Sequence, residues 1–225
     1  MLYLPLCILG IVIQVFFIIV ESKKKYVPAV ILKGAASILF VVIGLLSMRF
    51  SENQSFARLV VIGLILGAVG DILLNLRFVF EKIGQKIFLL GILAFFSGHV
   101  LYLAALIPFC PNVWLYVLCG AVAAAGILWC IFSNVGKLKK AFKIFGIVYI
   151  GAIAIMNAVA IGSFIANPTS LSMFLYVIGA VLFLASDIIM IFNTFGSTQK
   201  LSMRAANLSL YYLGQLFIAV CLQFI

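Results

Sequence analysis

The sequence predicts an all-α, polytopic membrane protein with eight transmembrane helices. Two observations lead to this fold class, the composition of the chain and the lengths of its apolar runs. Of the 225 residues, 67% are hydrophobic and only 9% are charged, whereas an ordinary soluble domain has about 25% charged residues. This composition excludes a cytosolic enzyme, a secreted module and a disordered chain.

Eight long apolar runs, separated by short polar stretches, are the predicted spans. In chain order they are Leu2–Val20, Val27–Ser47, Phe56–Leu76, Ile87–Ile107, Asn112–Ser133, Ala141–Ile165, Leu171–Phe192 and Ala205–Ile225. Each run is long enough to cross a hydrocarbon core of about 30 Å as a helix. None alternates apolar and polar residues at a period of two, as the strands of a membrane β-barrel would. The first run has no cleavage pattern of a signal peptide, so it is predicted to be a retained helix.

The basic residues predict the orientation of the chain. Twelve of the 15 are assigned to loops one, three, five and seven, namely Lys23, Lys24, Lys25, Arg77, Lys82, Lys86, Lys137, Lys139, Lys140, Lys143, Lys200 and Arg204. The positive-inside rule puts these loops in the cytoplasm and both termini on the non-cytoplasmic side. The net charge of +10 is then an orientation signal with some attraction for anionic lipid. It does not indicate a nucleic-acid partner, because no soluble domain presents a basic patch.

Both aspartates, Asp71 and Asp187, lie inside predicted spans, whereas the three glutamates are assigned to loops. An ionisable side chain at that depth costs at least about 2.5–3.5 kcal/mol, so it indicates a functional site. The structural alternatives are an Asp–Lys pair or a protonated aspartic acid that is hydrogen-bonded for packing.

The two aspartates occupy matching positions along the chain. Gly70–Leu74 in span three is similar to Ser186–Met190 in span seven, and the aspartates are 116 residues apart. His99 follows Asp71 by 28 residues, and Gln215 follows Asp187 by the same number. The pattern predicts one transmembrane domain over residues 1–225, built by a parallel four-plus-four duplication of half-repeats 1–111 and 112–225.

Some polar side chains on other spans, such as Lys33 and Tyr211, are predicted to lie at nearly the same depth as the aspartates, whereas His99 and Gln215 lie deeper, near the midplane. At about 1.5 Å per residue, Asp71 and Asp187 are each about 8 Å from the predicted cytoplasmic boundary. The spans also carry polar residues that are predicted to line or support one cavity open to the cytoplasm: Lys33, Asn75, His99, Tyr102, Tyr149, Ser186, Tyr211 and Gln215. The alternative for His99 is a hydrogen-bonded core residue. The alternative for the glycines Gly63 and Gly67, spaced by four residues before Asp71, is helix packing.

Two neighbouring carboxyl groups in a low-dielectric site favour acid–base chemistry, because one keeps its proton while the other serves as a base. Such a pair suits the opening of an ether or enol ether through an oxocarbenium-like cation, followed by attack of water. No metal site is predicted, since the single histidine excludes a site of three histidines, although an Asp-Asp-His set stays formally possible. The sequence has no P-loop and no dinucleotide-binding motif. A substrate reached from within a membrane is most simply a lipid.

The chain resembles the lysoplasmalogenase (YhhN) family of eight-span membrane proteins over nearly its whole length. The resemblance is carried by Lys33, Gly70–Leu74, Gly98–Tyr102, Phe183–Asp187 and Tyr211–Gln215. One departure is Gly34 after Lys33, where the family usually has proline.

The resemblance implies hydrolysis of the vinyl ether bond of lysoplasmalogens, giving a fatty aldehyde and a glycerophospho-base, without a cofactor. Of Asp71 and Asp187, one would be the acid and the other the ionised carboxylate, with the assignment open. Lys33 would bind the headgroup phosphate or pair with an aspartate. The remaining polar candidates would position water and the glycerol hydroxyl.

The competing hypothesis is a proton-coupled transporter of a small molecule or a lipid, since paired intramembrane aspartates also serve proton relays. The expected partners under the first hypothesis are a lysophospholipid substrate and membrane lipids. The expected location is a membrane crossed several times, which is the cell membrane in a bacterium or an internal membrane in a eukaryote. The sequence leaves the oligomeric state and the preferred headgroup open.

Overall fold

The computed structural model describes residues 3–136 and 140–225, which form eight long helices and no strand. The helices are α1 (Tyr3–Ser22), α2 (Tyr26–Met48), α3 (Gln54–Leu76), α4 (Gly84–Leu106), α5 (Val113–Asn134), α6 (Lys140–Ala166), α7 (Leu171–Phe195) and α8 (Leu201–Cys221). Each is long and apolar enough to cross a membrane. The predicted all-α, eight-span fold class is therefore confirmed, and the chain is an integral multi-pass membrane protein.

Several helices are longer than the predicted apolar runs, because they include charged residues at their ends. Glu21, assigned to a loop from the sequence, lies in the last turn of α1, and Arg204 lies in the first turn of α8. Their side chains form a bidentate ion pair. Arg204 donates from Nη2 to Glu21 Oε1 at 2.6 Å and from Nε to Glu21 Oε2 at 3.0 Å. Lys140 and Lys143 likewise lie in α6. These loop assignments were wrong because long charged side chains can bury their stems in a helix while the charge stays near the boundary.

The basic residues Lys137 and Lys139 lie outside the described residues. The connections α1–α2, α3–α4 and α7–α8 lie together at one end of the helix bundle, where residues from all three line one cavity. We call this end the basic end. The side of the membrane that this end faces, and hence the orientation of both termini, stays a prediction of the positive-inside rule.

Local signals explain where the helices begin. The Asn53 side chain accepts a hydrogen bond from the backbone N–H of Phe56 at the start of α3. The Ser170 hydroxyl accepts one from the backbone N–H of Met173 at the start of α7. Such caps satisfy amide groups that a helix leaves unpaired in its first turn.

The outer surface of the bundle is apolar, as expected for contact with lipid. Trp114 and Trp129 on α5 are 82% and 76% exposed. They are separated by about 22 Å along the helix axis, so in a membrane-spanning α5 they would lie on opposite sides of the midplane. Tryptophan is enriched at the boundaries of a hydrocarbon core because its ring is amphipathic.

Within each half of the chain, helices adjacent in sequence pack against each other. The halves are joined by contacts of α4 with α6 and of α8 with α1, α2 and α3. A close backbone crossing joins α7 to α8, where a Cβ atom on Gly179 would lie 2.7 Å from the carbonyl oxygen of Gly214. A Cβ atom on Gly214 would lie 2.8 Å from the carbonyl oxygen of Gly179. The two glycines thus set the distance between helices that carry Asp187 and Tyr211.

We expect Gly179→Ala to lower the free energy of unfolding by about 1–3 kcal/mol, because the new methyl group must push α7 from α8. The measurement is thermal or denaturant unfolding of the protein in detergent. The matched control is Gly151→Ala on α6, where a Cβ atom meets nothing within 4 Å. Equal effects of the two substitutions would contradict this account of the crossing.

Candidate functional site

One cavity contains both intramembrane aspartates. It has an empty volume of about 810 Å³, and its lining comes from α2, α3, α4, α6, α7 and α8. Its polar lining residues are Lys33, Asp71, Asn75, Tyr149, Ser186, Asp187, Arg204, Asn207 and Tyr211. Arg204 lies at the basic end, so the cavity occupies the half of the bundle nearer that end.

Asp71 is surrounded by groups that stabilise a negative charge. Its carboxylate lies 3.4 Å from the Lys33 Nζ atom, and Oδ2 accepts hydrogen bonds from the Ser37 and Tyr211 hydroxyls, the latter at 2.8 Å. Only 4% of Asp71 and 1% of Lys33 is exposed. A cation and hydroxyl donors favour the ionised form of a carboxyl group.

Asp187 has a different and poorer set of partners. It is as buried as Asp71, at 4% exposed, and it accepts a hydrogen bond from the Tyr149 hydroxyl. No ion pair reaches Asp187 within the described residues. In the same ranges no hydrogen bond joins the two carboxyl groups, so each has its own surroundings on the shared cavity. The structure therefore offers one carboxyl position beside a cation and one that has a single hydroxyl partner among the described residues.

Three of the predicted site residues, His99, Tyr102 and Gln215, are absent from the cavity lining. The Tyr102 hydroxyl donates to Gln215 Oε1 at 3.1 Å, and Gln215 Nε2 donates to the Tyr211 hydroxyl at 3.3 Å. Since Tyr211 donates to Asp71, these groups form a chain of donors directed at that carboxylate.

His99 belongs to the surroundings of the other aspartate. Its Nε2 atom lies 3.4 Å from the Tyr149 hydroxyl, which binds Asp187. Its ring packs edge-on to Phe183, with the ring centroids 4.7 Å apart. His99 therefore lies outside the cavity lining, and its link to Asp187 is indirect, through the Tyr149 hydroxyl.

Glycines on α3 make room for the donor chain. A Cβ atom on Gly63 would clash with the Tyr102 ring, and one on Gly67 would lie 2.8 Å from Gln215 Nε2. Gly63, Gly67 and Asp71 are spaced by four residues and share one face of α3. Polar side chains from α4 and α8 pack against this face because the glycines leave room for them. This contact serves both packing and the site.

The remaining predicted candidates line the cavity near the aspartates. Asn75 donates from Nδ2 to the backbone carbonyl of Asp71 at 2.9 Å, and its Oδ1 atom is buried without a hydrogen-bond partner among the described residues. The Ser186 hydroxyl accepts a hydrogen bond from Asn207 Nδ2 at 2.8 Å. Both arrangements leave polar atoms at the cavity wall that a substrate or water can bind.

Of the two roles considered for Lys33, the geometry favours pairing with an aspartate. Its Nζ atom also lies 4.4 Å from the centre of the Tyr211 ring and 5.5 Å from that of Phe17. The ammonium group is enclosed by these rings and Asp71, whereas a headgroup phosphate would have to reach it through the cavity.

Ser37 was missed in the sequence reasoning although it binds Asp71 directly. It follows Lys33 by four residues, so both side chains lie on one face of α2. That spacing was a usable signal, but a serine in an apolar helix is usually bonded to its own backbone. Ser37 does lie within hydrogen-bond distance of the Lys33 carbonyl oxygen, at 2.9 Å, as well as of Asp71.

The predicted spacing of 116 residues recurs in the contacts of the two aspartates. Lys33 on α2 pairs with Asp71 on α3, and Tyr149 on α6 binds Asp187 on α7. Lys33 and Tyr149 are themselves 116 residues apart, so each half contributes one partner from the corresponding helix. The four-plus-four duplication stays a prediction, and these paired contacts support it.

The rest of the cavity wall is apolar and aromatic. Its lining includes Phe88, Phe95, Phe142, Met190 and Phe195. A second groove of about 420 Å³ lies between α4 and α6 and shares Ile92 and Tyr149 with the cavity. No group of three or more His, Cys, Asp or Glu residues suited to a metal ion occurs in the part of the chain that the structure describes.

Comparison with known proteins identifies the family of the chain. No curated protein and no solved structure matches it. Residues 25–222 match the family model described as the YhhN family. This match spans α2 to α8, including every residue that lines the cavity. The chain therefore belongs to the YhhN family, as the resemblance of its motifs predicted.

Proposed function

We propose that the protein is a membrane hydrolase that cleaves the vinyl ether bond of lysoplasmalogens. Membership of the YhhN family supports a lysoplasmalogenase-like function. The observation that carries the proposal is the presence of two buried carboxyl groups, Asp71 and Asp187, on one largely apolar cavity. A lipid with one hydrocarbon chain suits such a wall, because burial of the chain removes apolar surface from water.

In this proposal Asp187 is the acid and Asp71 is the ionised carboxylate. Asp71 has the Lys33 ammonium group and two hydroxyl donors, so its negative charge is stabilised. Asp187 has a single hydroxyl partner, Tyr149, and no cation among the described residues. Loss of solvation favours the neutral form of a carboxyl group that lacks such compensation. The unequal surroundings thus give the pair its two roles.

The reaction begins with transfer of the Asp187 proton to the β-carbon of the vinyl ether. The adjacent carbon becomes part of an oxocarbenium ion, which the negative charge of Asp71 stabilises. Water attacks this carbon and loses a proton to the Asp187 carboxylate, which restores the acid. Asp187 then protonates the glycerol oxygen of the hemiacetal as the bond between this oxygen and the former vinyl carbon breaks. The Asp187 carboxylate takes back the proton of the resulting protonated aldehyde, giving aldehyde and alcohol. One water molecule is consumed and both aspartates are regenerated.

The first test is aldehyde release from a lysoplasmalogen by the purified protein in detergent, where no gradient exists. We expect aldehyde from the vinyl ether and none from the saturated alkyl ether of the same headgroup, because the latter has no carbon–carbon double bond to protonate. Asp71→Asn and Asp187→Asn should each lower aldehyde release by about 10²-fold or more. Absence of aldehyde from a folded wild-type protein would favour the transporter hypothesis, in which the same carboxyl groups carry protons.

A further inference from the structure

A second open cavity lies at the basic end, next to the cavity that contains the aspartates. It has an empty volume of about 1050 Å³ and is lined by residues from the ends of α1, α3 and α7 and the starts of α2 and α8. Four cations line it, and we call them the cationic basin: Lys24, Arg77, Lys200 and Arg204. One carboxylate, Glu21, accompanies them.

Only one of these four cations is neutralised within the described residues. Glu21 binds Arg204 through two contacts of 2.6 and 3.0 Å. Lys24, Arg77 and Lys200 form no ion pair in the same part of the chain. Three positive charges are therefore left to bind an anion from outside the protein.

Arg77 is the most enclosed of the three. Its guanidinium carbon lies 4.6 Å from the centre of the Phe78 ring and 4.4 Å from that of Phe88, and its Nε atom is buried without a hydrogen-bond partner. Burial, with repulsion from Arg204 that Glu21 opposes, lowers the pKa of Arg77 to about 10. A guanidinium held in a fixed plane beside an open cavity, with a donor unused, is suited to an oxyanion.

The basin and the aspartate cavity are continuous in their lining. Arg204 lines both. Phe88, which packs under Arg77, also lines the aspartate cavity. A molecule with an anionic head and one apolar chain could therefore place its head in the basin and its chain along the aromatic wall.

We propose that the cationic basin binds the phosphate of a single-chain glycerophospholipid, with Arg77 as the principal ligand. This assignment rests on the proposed function, since it places the headgroup of the same substrate. It takes the phosphate role away from Lys33, whose ammonium group is buried and lies 3.4 Å from the Asp71 carboxylate. Lys24 and Lys200 are exposed at the rim of the cationic basin. Their charges add long-range attraction for the phosphate.

The test measures binding and needs no catalysis. The probes are an alkyl-ether lysophosphatidylethanolamine, which lacks the vinyl ether, the corresponding alkylglycerol, which lacks the phosphate, and inorganic phosphate. We expect Arg77→Gln to raise the Kd of the lysophospholipid about tenfold or more and to leave that of the alkylglycerol unchanged. Weak binding of inorganic phosphate that is also lost in Arg77→Gln would support the anion site without the chain.

Two double variants make the result specific. Lys24→Gln with Lys200→Gln removes exposed basin charges and should weaken lysophospholipid binding at least threefold, even if Arg77→Gln fails to fold. The double variant Lys82→Gln with Lys86→Gln removes the same charge from exposed positions at the same end but outside the basin. It should leave the Kd of the lysophospholipid unchanged. Equal weakening by both double variants, or an Arg77→Gln effect on the alkylglycerol as large as on the lysophospholipid, would overturn the proposal.

The outcome is separable from that of the proposed function. If Arg77→Gln weakens binding selectively while the wild-type protein releases no aldehyde, the phosphate site stands and the hydrolase proposal fails. If aldehyde is released but binding does not depend on Arg77 or on the two lysines, the hydrolase proposal stands and the basin does not bind the headgroup.

Discussion

Replacing Asp187 with asparagine is expected to lower kcat for aldehyde release by about 10²–10⁴-fold, the usual contribution of a positioned general acid. Asparagine preserves the shape of the side chain and can still accept a hydrogen bond from Tyr149, but it has no acidic proton for the vinyl carbon. The change should fall on kcat and leave KM nearly unaltered. The measurement is steady-state aldehyde release in detergent, with unfolding of the variant followed in parallel.

The control for this prediction is another buried polar residue of the same bundle. Asn157 on α6 is 5% exposed, bonds to the backbone of its own helix and is absent from the cavity lining. Asn157→Ala should therefore keep kcat within a few-fold of the wild-type value. A solvent deuterium isotope effect on the wild-type kcat is also expected, because a proton moves to carbon. Retained activity in a folded Asp187→Asn variant would end the assignment of this residue as the acid.

Replacing Lys33 with methionine is expected to cost about 3–5 kcal/mol of unfolding free energy, because it leaves the buried Asp71 charge without its cation. The methionine side chain fills most of the same volume, so loss of packing is a minor part of the effect. The ionised carboxylate would keep only its hydroxyl partners, Ser37 and Tyr211. Activity should fall as well. Without the Lys33 ammonium group Asp71 is more readily protonated, and a neutral Asp71 does not stabilise the oxocarbenium ion of the reaction.

A double-substitution cycle isolates the contribution of the pair. Lys33→Met combined with Asp71→Asn removes both charges, so its cost should be smaller than the sum of the two single costs by about 0.5–3 kcal/mol. The measurement is denaturant unfolding of all four proteins in the same detergent. Strictly additive costs would show that the two side chains do not stabilise each other, and that the 3.4 Å contact has no energetic role.

The sequence predicts how deep in the membrane a side chain of the site lies, but it does not predict in which direction that side chain points. Counting residues from the helix ends placed Asp71, Asp187, Lys33 and Tyr211 at similar depths, and all of them line the cavity. The same counting could not reveal that His99 lies behind Tyr149. Depth follows from the rise per residue of a helix, whereas the direction of a side chain follows from the rotation of that helix against its neighbours.

The sequence by itself determined the eight spans, the family and the presence of two intramembrane aspartates. These are local properties, because within lipid each helix must satisfy its own backbone and be apolar along its length. Only the tertiary structure decided which groups surround each aspartate: Lys33, Ser37 and Tyr211 for one and Tyr149 for the other. The physical reason is that these partners come from different helices. The rotations and separations of the helices are set by contacts between them, such as the crossing of Gly179 with Gly214.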